Sequence, residues 1–335
     1  MVQTLDYQLY MRWMISETPI KHTEIFFFEN EGLKKELVAK FQKLFNLYQG
    51  SLNRQGKYGI KKATIFFNHN HSVNAKATVF NDHYLISINK GTICTLWKKF
   101  YLKSDLMKLE GLDKFDKVQS NAGYPINKLM FQLCCHFSFY HELAHLIQKS
   151  DYLTVGLSED VTSSTNFNLE RHVLEYDADA FSAVSLGTHL YQYIRDWCPN
   201  LKNGDAELII SVVASSIFVY LMLFESAKIP FYTKLDSHLH PFVRLLGIVH
   251  YMTDYIKHLD ATHGVLNLDS SIINSEMMVC SKLISNELLD DQALTHLKVF
   301  FKKNTTDARN YNIELLELVS TNIDLAFNKR NIIAN

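Results

Sequence analysis

Apolar and polar positions alternate along this chain with two different periods. Between residues 31 and 49, Leu33, Leu37, Phe41, Leu44 and Tyr48 recur at steps of four, four, three and four. That spacing predicts an amphipathic helix that stops at Gly50. A polar, basic stretch from Ser51 to Lys62 follows, and then the period shortens. Residues 63–68, 77–80 and 83–89 are β-branched and aromatic, with polar turn residues between them. They are expected to form antiparallel strands, and the alternation from His83 to Asn89 puts one face in the core. From Pro125, which suits a first helical turn, the helical period returns. Leu129, Met130, Leu133, Phe137, Tyr140, Ala144 and Ile147 predict a long helix ending near Lys149 and Ser150. A second helix, capped somewhere within Ser163 to Asn166, is expected to run through about Trp197. An apolar helix over 207–226, one over 241–257 and amphipathic helices over 273–289 and 312–327 complete the pattern. There is no internal repeat and no low-complexity tract.

Composition narrows the function classes. Hydrophobic residues make up 47% of the 335 and charged residues 21%, the balance of a globular chain with a sizeable core. The formal net charge of −1 gives no global pull toward nucleic acid or an anionic membrane. The basic stretch Lys57 to Lys62 adjoins no aromatic stacking platform, so it reads as a solvated loop. Leu208 to Phe224 is an uncharged, mostly apolar run at the short edge of a membrane span. Its serines, Ser211, Ser215 and Ser216, and its place between two candidate site segments favour a buried core helix. The five cysteines are odd in number and scattered, without a CxxC pair, which points to reduced thiols in a cytosol-like compartment. The first twenty residues lack the basic-then-apolar layout of a secretory signal. A cytoplasmic location is expected.

The candidate chemistry lies on the two long helices. His141-Glu142-Leu143-Ala144-His145 places two imidazoles one helical turn apart, so both can meet one ion. Glu142 is rotated about 100° from His141. In the HExxH pattern that offset keeps the carboxylate off the metal but within reach of an activated water. Alone, the motif also fits an exposed face that happens to carry two histidines. The segment Leu174-Glu175-Tyr176-Asp177-Ala178-Asp179-Ala180-Phe181 changes the balance. Glu175 and Asp179 share one face. Glu175 is the candidate third ligand, and Asp179 is the candidate acceptor for the free N–H of a ligand histidine. Three protein ligands would leave a position open for water, as catalytic zinc requires. Asp177 projects about 160° from Asp179 and is expected to matter much less.

HExxH followed on a later helix by this acidic segment resembles the gluzincin metallopeptidases, above all the group of the heat-shock protease HtpX and the CaaX prenyl proteases. Asn74-Ala75-Lys76-Ala77 and Tyr84 to Gly91 resemble that group's Asn-Ala segment and the strand beside its cleft. Ser237-His238-Leu239-His240-Pro241-Phe242-Val243-Arg244 resembles its His-Pro…Arg segment. These matches run in family order from about residue 74 to 246. Two soluble groups of the same plan, the phage-exclusion peptidase Lit and the ImmA/IrrE peptidases, also share parts of the pattern; the latter lack the His-Pro segment.

The resemblance implies an α+β zincin domain over 61–260, with an antiparallel sheet packed on the HExxH helix. Helical segments over 1–60 and 261–335 would flank it. It implies one Zn2+, Glu142 as general base, a protein or peptide substrate bound along the edge strand, and His240 or Arg244 as oxyanion donor. Membrane and nucleic acid are not expected partners. A zinc-stabilised interaction module with latent or lost peptidase activity is the alternative. Other polar residues have duller expectations. His136 lies roughly 140° round the helix from His141 and should not reach the metal. Cys134 and Cys135 lie about two turns away and read as core thiols. His172, three residues before Glu175, is a candidate cleft residue, while His69 and His71 sit in a turn.

Overall fold

The computed structural model of the chain describes residues 5–149, 153, 157–158, 167–198, 200–202, 204–224, 231–236, 238–261, 266–289 and 303–334. In chain order its elements are α1 (Tyr7–Glu17), α2 (Lys35–Leu52), β1 (Lys62–Asn68), β2 (Ala75–Phe80), β3 (His83–Asn89), α3 (Lys90–Leu96), α4 (Asp113–Asn121), α5 (Ile126–Gln148), β4 (Leu157–Ser158), α6 (Leu169–Trp197), α7 (Asp205–Leu221), α8 (Pro241–Ala261), α9 (Ser270–Leu288), α10 (Thr305–Thr321) and α11 (Ala326–Ala334). The architecture is mixed α+β and mostly helical, with a small sheet.

The sheet has the order β1-β3-β2-β4. β2 and β3 form the expected antiparallel hairpin, pairing Phe80 with His83 across Asn81 and Asp82. Both turn residues have positive φ, 45° and 62°, the geometry that tight two-residue hairpins demand and that Asn and Asp tolerate. β1 corrects the expectation: it pairs with β3 in parallel, from Lys62 opposite His83 to Asn68 opposite Asn89. The chain leaves β1, crosses the sheet end through residues 69–74, and inserts β3 between β1 and β2. The outer edge of β2 is taken at Lys76 and Ala77 by Ser158 and Leu157 of β4.

β2, β3 and α3 pack on α5, while α1 and α2 cover β1. Gln49 of α2 ties the sheet down, its amide bonding Ala63 O at 2.9 Å and accepting from Ile65 N at 3.1 Å. α5 in turn packs on α6 and α7, and α6 on α8. The long helices end where local chemistry ends them. Lys149 takes a left-handed φ of 54° just past α5, and the Asn168 side chain caps α6 by accepting from Arg171 N at 3.0 Å. The expected caps Ser163 to Asn166 lie outside the described residues. The expected helix over 312–327 divides into α10 and α11, with Asn322 ending the first. The segments expected as 1–60, 61–260 and 261–335 all contribute to one apolar cluster.

α7 is the buried run anticipated over 208–224, and no helix among the described residues is long and apolar enough to cross a membrane. Its serines make burial possible. Ser211 Oγ donates to Glu207 O at 2.7 Å, and Ser215 Oγ to Ser211 O at 2.7 Å. Both hydroxyls also reach carbonyls of α9, Ile273 O at 3.0 Å and Met277 O at 3.2 Å. Both hydroxyls are thus satisfied, and the small side chains let two helices approach closely.

Two glycines should respond oppositely to alanine. A Cβ on Gly91 would lie 2.0 Å from the His71 carbonyl oxygen, a backbone atom, whereas one on Gly50 in α2 would meet nothing within 4 Å. Gly91→Ala should destabilise by about 1–3 kcal/mol or more, the scale of overpacking, and Gly50→Ala should stabilise by up to about 1 kcal/mol. Urea midpoints would check both signs.

Candidate metal centre

α5 and α6 carry the site because their facing stripes combine small residues with acids. Ala144 on α5, and Ala178, Ala180 and Ala183 on α6, are fully buried, so the helices pack closely enough for side chains to meet. His141, His145 and Glu175 converge, each offering one ligand atom, with these atoms within 4.8 Å of one another. His141 Nε2 is 3.1 Å from His145 Nε2 and 3.2 Å from Glu175 Oε2; His145 Nε2 is 3.8 Å from Glu175 Oε1. All three side chains are at most 2% exposed, and Glu142 is 1% exposed. Among the described residues no fourth His, Cys, Asp or Glu joins the group.

The outer nitrogens of both rings are committed. His141 Nδ1 lies 3.0 Å from Asp179 Oδ1, and a carboxylate can only accept, so Nδ1 holds the proton. His145 Nδ1 lies 2.8 Å from Gln148 Oε1. The amide cannot be turned round, because Gln148 Nε2 donates to Leu174 O at 2.8 Å and to Asp177 Oδ2 at 2.7 Å. His145 Nδ1 therefore donates too. His145 Nε2 is then a lone pair, and it faces His141 Nε2 and the Glu175 carboxylate out of water. Such a donor set repels itself unless something positive sits among its members. A proton shared between His141 and Glu175 does this in part; a divalent cation does it for all three atoms at once. The 3.1 and 3.2 Å separations fit both answers, since they are hydrogen-bond lengths and also lie near the roughly 3.3 Å ligand edges of a tetrahedral ion with bonds of 2.0–2.1 Å.

The charge states follow from the same contacts. Burial, and then the neighbouring His141, push the His145 imidazole down to about 4, so it is neutral at pH 7. Burial pushes the Glu175 carboxyl up, but the hydrogen bond to His141 and the adjacent His145 together outweigh it and hold it well below the usual range. Asp179 follows the same logic: burial raises it, and Arg244 and His141 more than reverse that. Arg244 grips Asp179 with both prongs, Nε to Oδ2 at 2.9 Å and Nη2 to Oδ1 at 2.8 Å. Its Nη2 lies 3.5 Å from His141 Nδ1 because both donate to the same oxygen.

The expected site residues thus separate. His141, His145, Glu175, Asp179 and Arg244 come together, with Glu142 beside them on α5. Arg244 stands near the centre, but as the anchor of Asp179. His240 packs between Phe231 and Tyr232, ring centroids 5.1 and 5.3 Å away, and its Nδ1 accepts from Phe242 N at 3.1 Å. Ser237, the start of the His-Pro segment, lies outside the described residues. Asp177 has a further part. It does point away from Asp179, yet it returns to the site from the other side through Gln148, a residue the motif reading passed over. Gln148 sits three residues after His145, which was the one available signal. His172 is no open cleft residue, since its Nδ1 meets Tyr311 OH at 2.7 Å and its Nε2 meets Asp236 O at 2.8 Å. His136 is buried against Tyr48 and Gln132, Cys134 and Cys135 are core thiols, and His69 pairs with Glu31 in its exposed turn.

Asp179 and Arg244 should prove coupled in stability and distinct in metal binding. Arg244→Ala leaves a buried carboxylate short of its main partner, and Asp179→Ala leaves a buried cation; each should cost about 3–5 kcal/mol. The double variant should cost clearly less than the sum. Affinity for a divalent metal ion should fall by roughly 10–100-fold wherever Asp179 is lost, the scale of a partner that orients a ligand. Denaturant titration and chelator competition measure the two effects separately.

Comparison with protein-family models, with curated proteins and with solved structures found no match for this chain. What this centre can do therefore rests on its own residues and on the motif resemblance.

Proposed function

We propose that the chain is a zinc-dependent endopeptidase of the gluzincin type. The observation that carries this reading is the combination of a three-donor centre with a carboxylate, Glu142, one residue along the same helix. A site that only braced the fold would have use for a fourth ligand and none for a base. Bound zinc would supply a Lewis acid that acidifies water toward pKa ~7 and polarises the scissile carbonyl. The chain supplies the rest. His141, His145 and Glu175 would hold the ion. Asp179 and Gln148 keep each imidazole in the tautomer that presents Nε2. Glu142 takes a proton from the attacking water and hands it to the leaving amine. The oxyanion donor is the one the resemblance implies, His240, whose Nδ1 accepts from Phe242 N and so leaves the proton of a neutral ring on Nε2.

Burial favours a second reading strongly enough to keep it in view. The ligands and Glu142 are closed off from solvent, and β4 occupies the edge of β2 where an extended peptide would add. A latent peptidase, or an interaction module braced by zinc, has the same closed centre. The two differ in what Glu142 is for. Cells producing the wild-type chain should show new protein N-termini that are missing with Glu142→Gln, while the purified variant keeps about one zinc per chain. Equal cleavage by both would remove Glu142 as the base. No cleavage by either, with zinc retained, would favour the interaction module.

A further inference from the structure

Asp177 has three hydrogen-bond donors, and two come from a distant part of the chain. Its Oδ2 accepts from Gln148 Nε2 at 2.7 Å and from Ala326 N at 2.8 Å, and its Oδ1 accepts from Phe327 N at 2.9 Å. Ala326 and Phe327 are the first two residues of α11. The first N–H groups of a helix have no partner within it, and its N-terminus favours negative charge. Asp177, fully buried on α6, therefore acts as the cap of a helix that begins about 150 residues later. α11 is also stitched down further along. Lys329 Nζ reaches Ile147 O at 3.4 Å, Arg330 Nη1 meets Ser185 Oγ at 2.6 Å, and the Phe327 ring packs on Tyr251 with centroids 4.9 Å apart.

On its other side Asp177 fixes Gln148, and Gln148 fixes His145. If the Gln148 amide flipped, its oxygen would face the Asp177 carboxylate and the Leu174 carbonyl, and its NH2 would face His145 Nδ1. His145 would then have to accept through Nδ1 and carry its proton on Nε2, the nitrogen that must be bare to bind a metal. We infer that α11 is a latch on the metal centre: its docking on Asp177 holds Gln148, and through it His145, in the metal-binding tautomer. This rests on the reading of His141, His145 and Glu175 as a metal centre. Asp177 and Gln148 are positioning residues here, since neither touches the metal or a substrate. Coupling of this kind is reciprocal, so metal binding must also tighten the docking of α11.

Zinc affinity by chelator competition tests the latch in four full preparations: the wild-type chain, Gln148→Leu, a chain ending at Leu325, and the two changes combined. Each single change should weaken zinc by roughly 10–100-fold. The combined change should weaken it little beyond the worse single change, because both break one chain of contacts; helices that act independently would give multiplied losses. Should the shortened chain fail to fold, hydrogen exchange on intact protein carries the test. Zinc should slow exchange of the Ala326 and Phe327 amides in the wild-type chain and leave it nearly unchanged in Gln148→Leu. Multiplied losses, wild-type affinity in the shortened chain, or zinc protection of α11 that survives Gln148→Leu would each overturn the latch while leaving the metal centre standing. A wild-type chain that binds no zinc would instead remove the centre itself.

Discussion

Two imidazole nitrogens face each other across 3.1 Å, beside a carboxylate and out of reach of water. That arrangement is unfavourable unless a positive charge is held among them, and the polar interior of this protein is organised around it. Asp179 and Arg244 secure one ring, and Gln148, Leu174 O and Asp177 secure the other. Each support is itself supported. Asp179 would be costly in the interior without Arg244, and Asp177 without the α11 amides, because an unpaired buried charge is one of the largest single penalties a fold can carry.

These supports also determine which elements the chain must bring together. α5 and α6 supply the candidate ligands, α8 supplies Arg244, and α11 supplies two backbone amides. A helix that provides a metal ligand can be read alone; a helix that provides its partner's partner cannot. The elements farther out serve packing. α7 is buried on all sides, and its serine hydroxyls are turned onto carbonyls of its own helix and of α9, so it contributes volume without leaving polar atoms unsatisfied. The sheet gives α5 a flat apolar surface, and the Gln49 amide tethers α2 to it.

How much of this could be read beforehand followed the range of the interactions involved. His141 with His145, and Glu175 with Asp179, are visible in sequence because four residues make about one helical turn. The long helices were equally legible from their periods. Gln148 was within reach of the same reasoning, since a residue three positions after a ligand lies over the same face. Asp177 was not: its meaning depends on α11, and nothing near residue 177 announces residues 326 and 327. The three strands were found and β2 pairs with β3 as expected, but β1 runs parallel to β3 rather than antiparallel. Alternation tells which face of a strand is buried, and the Asn81-Asp82 turn fixes only the β2–β3 hairpin. That β1 lies parallel to β3 is decided by the path of residues 69–74 across the sheet and by the close approach of His71 to Gly91. The splitting of the 312–327 region came from Asn322, which ends α10 within a run whose apolar spacing continues.

X-ray absorption at the zinc edge of the wild-type chain, loaded with one equivalent of metal, addresses the centre most directly. Two imidazole nitrogens at about 2.0–2.1 Å and oxygen for the remaining positions, with no sulfur, are what His141, His145, Glu175 and water would give. Sulfur in the first shell, a single imidazole, or six oxygen neighbours without imidazole would contradict a centre built from these three residues.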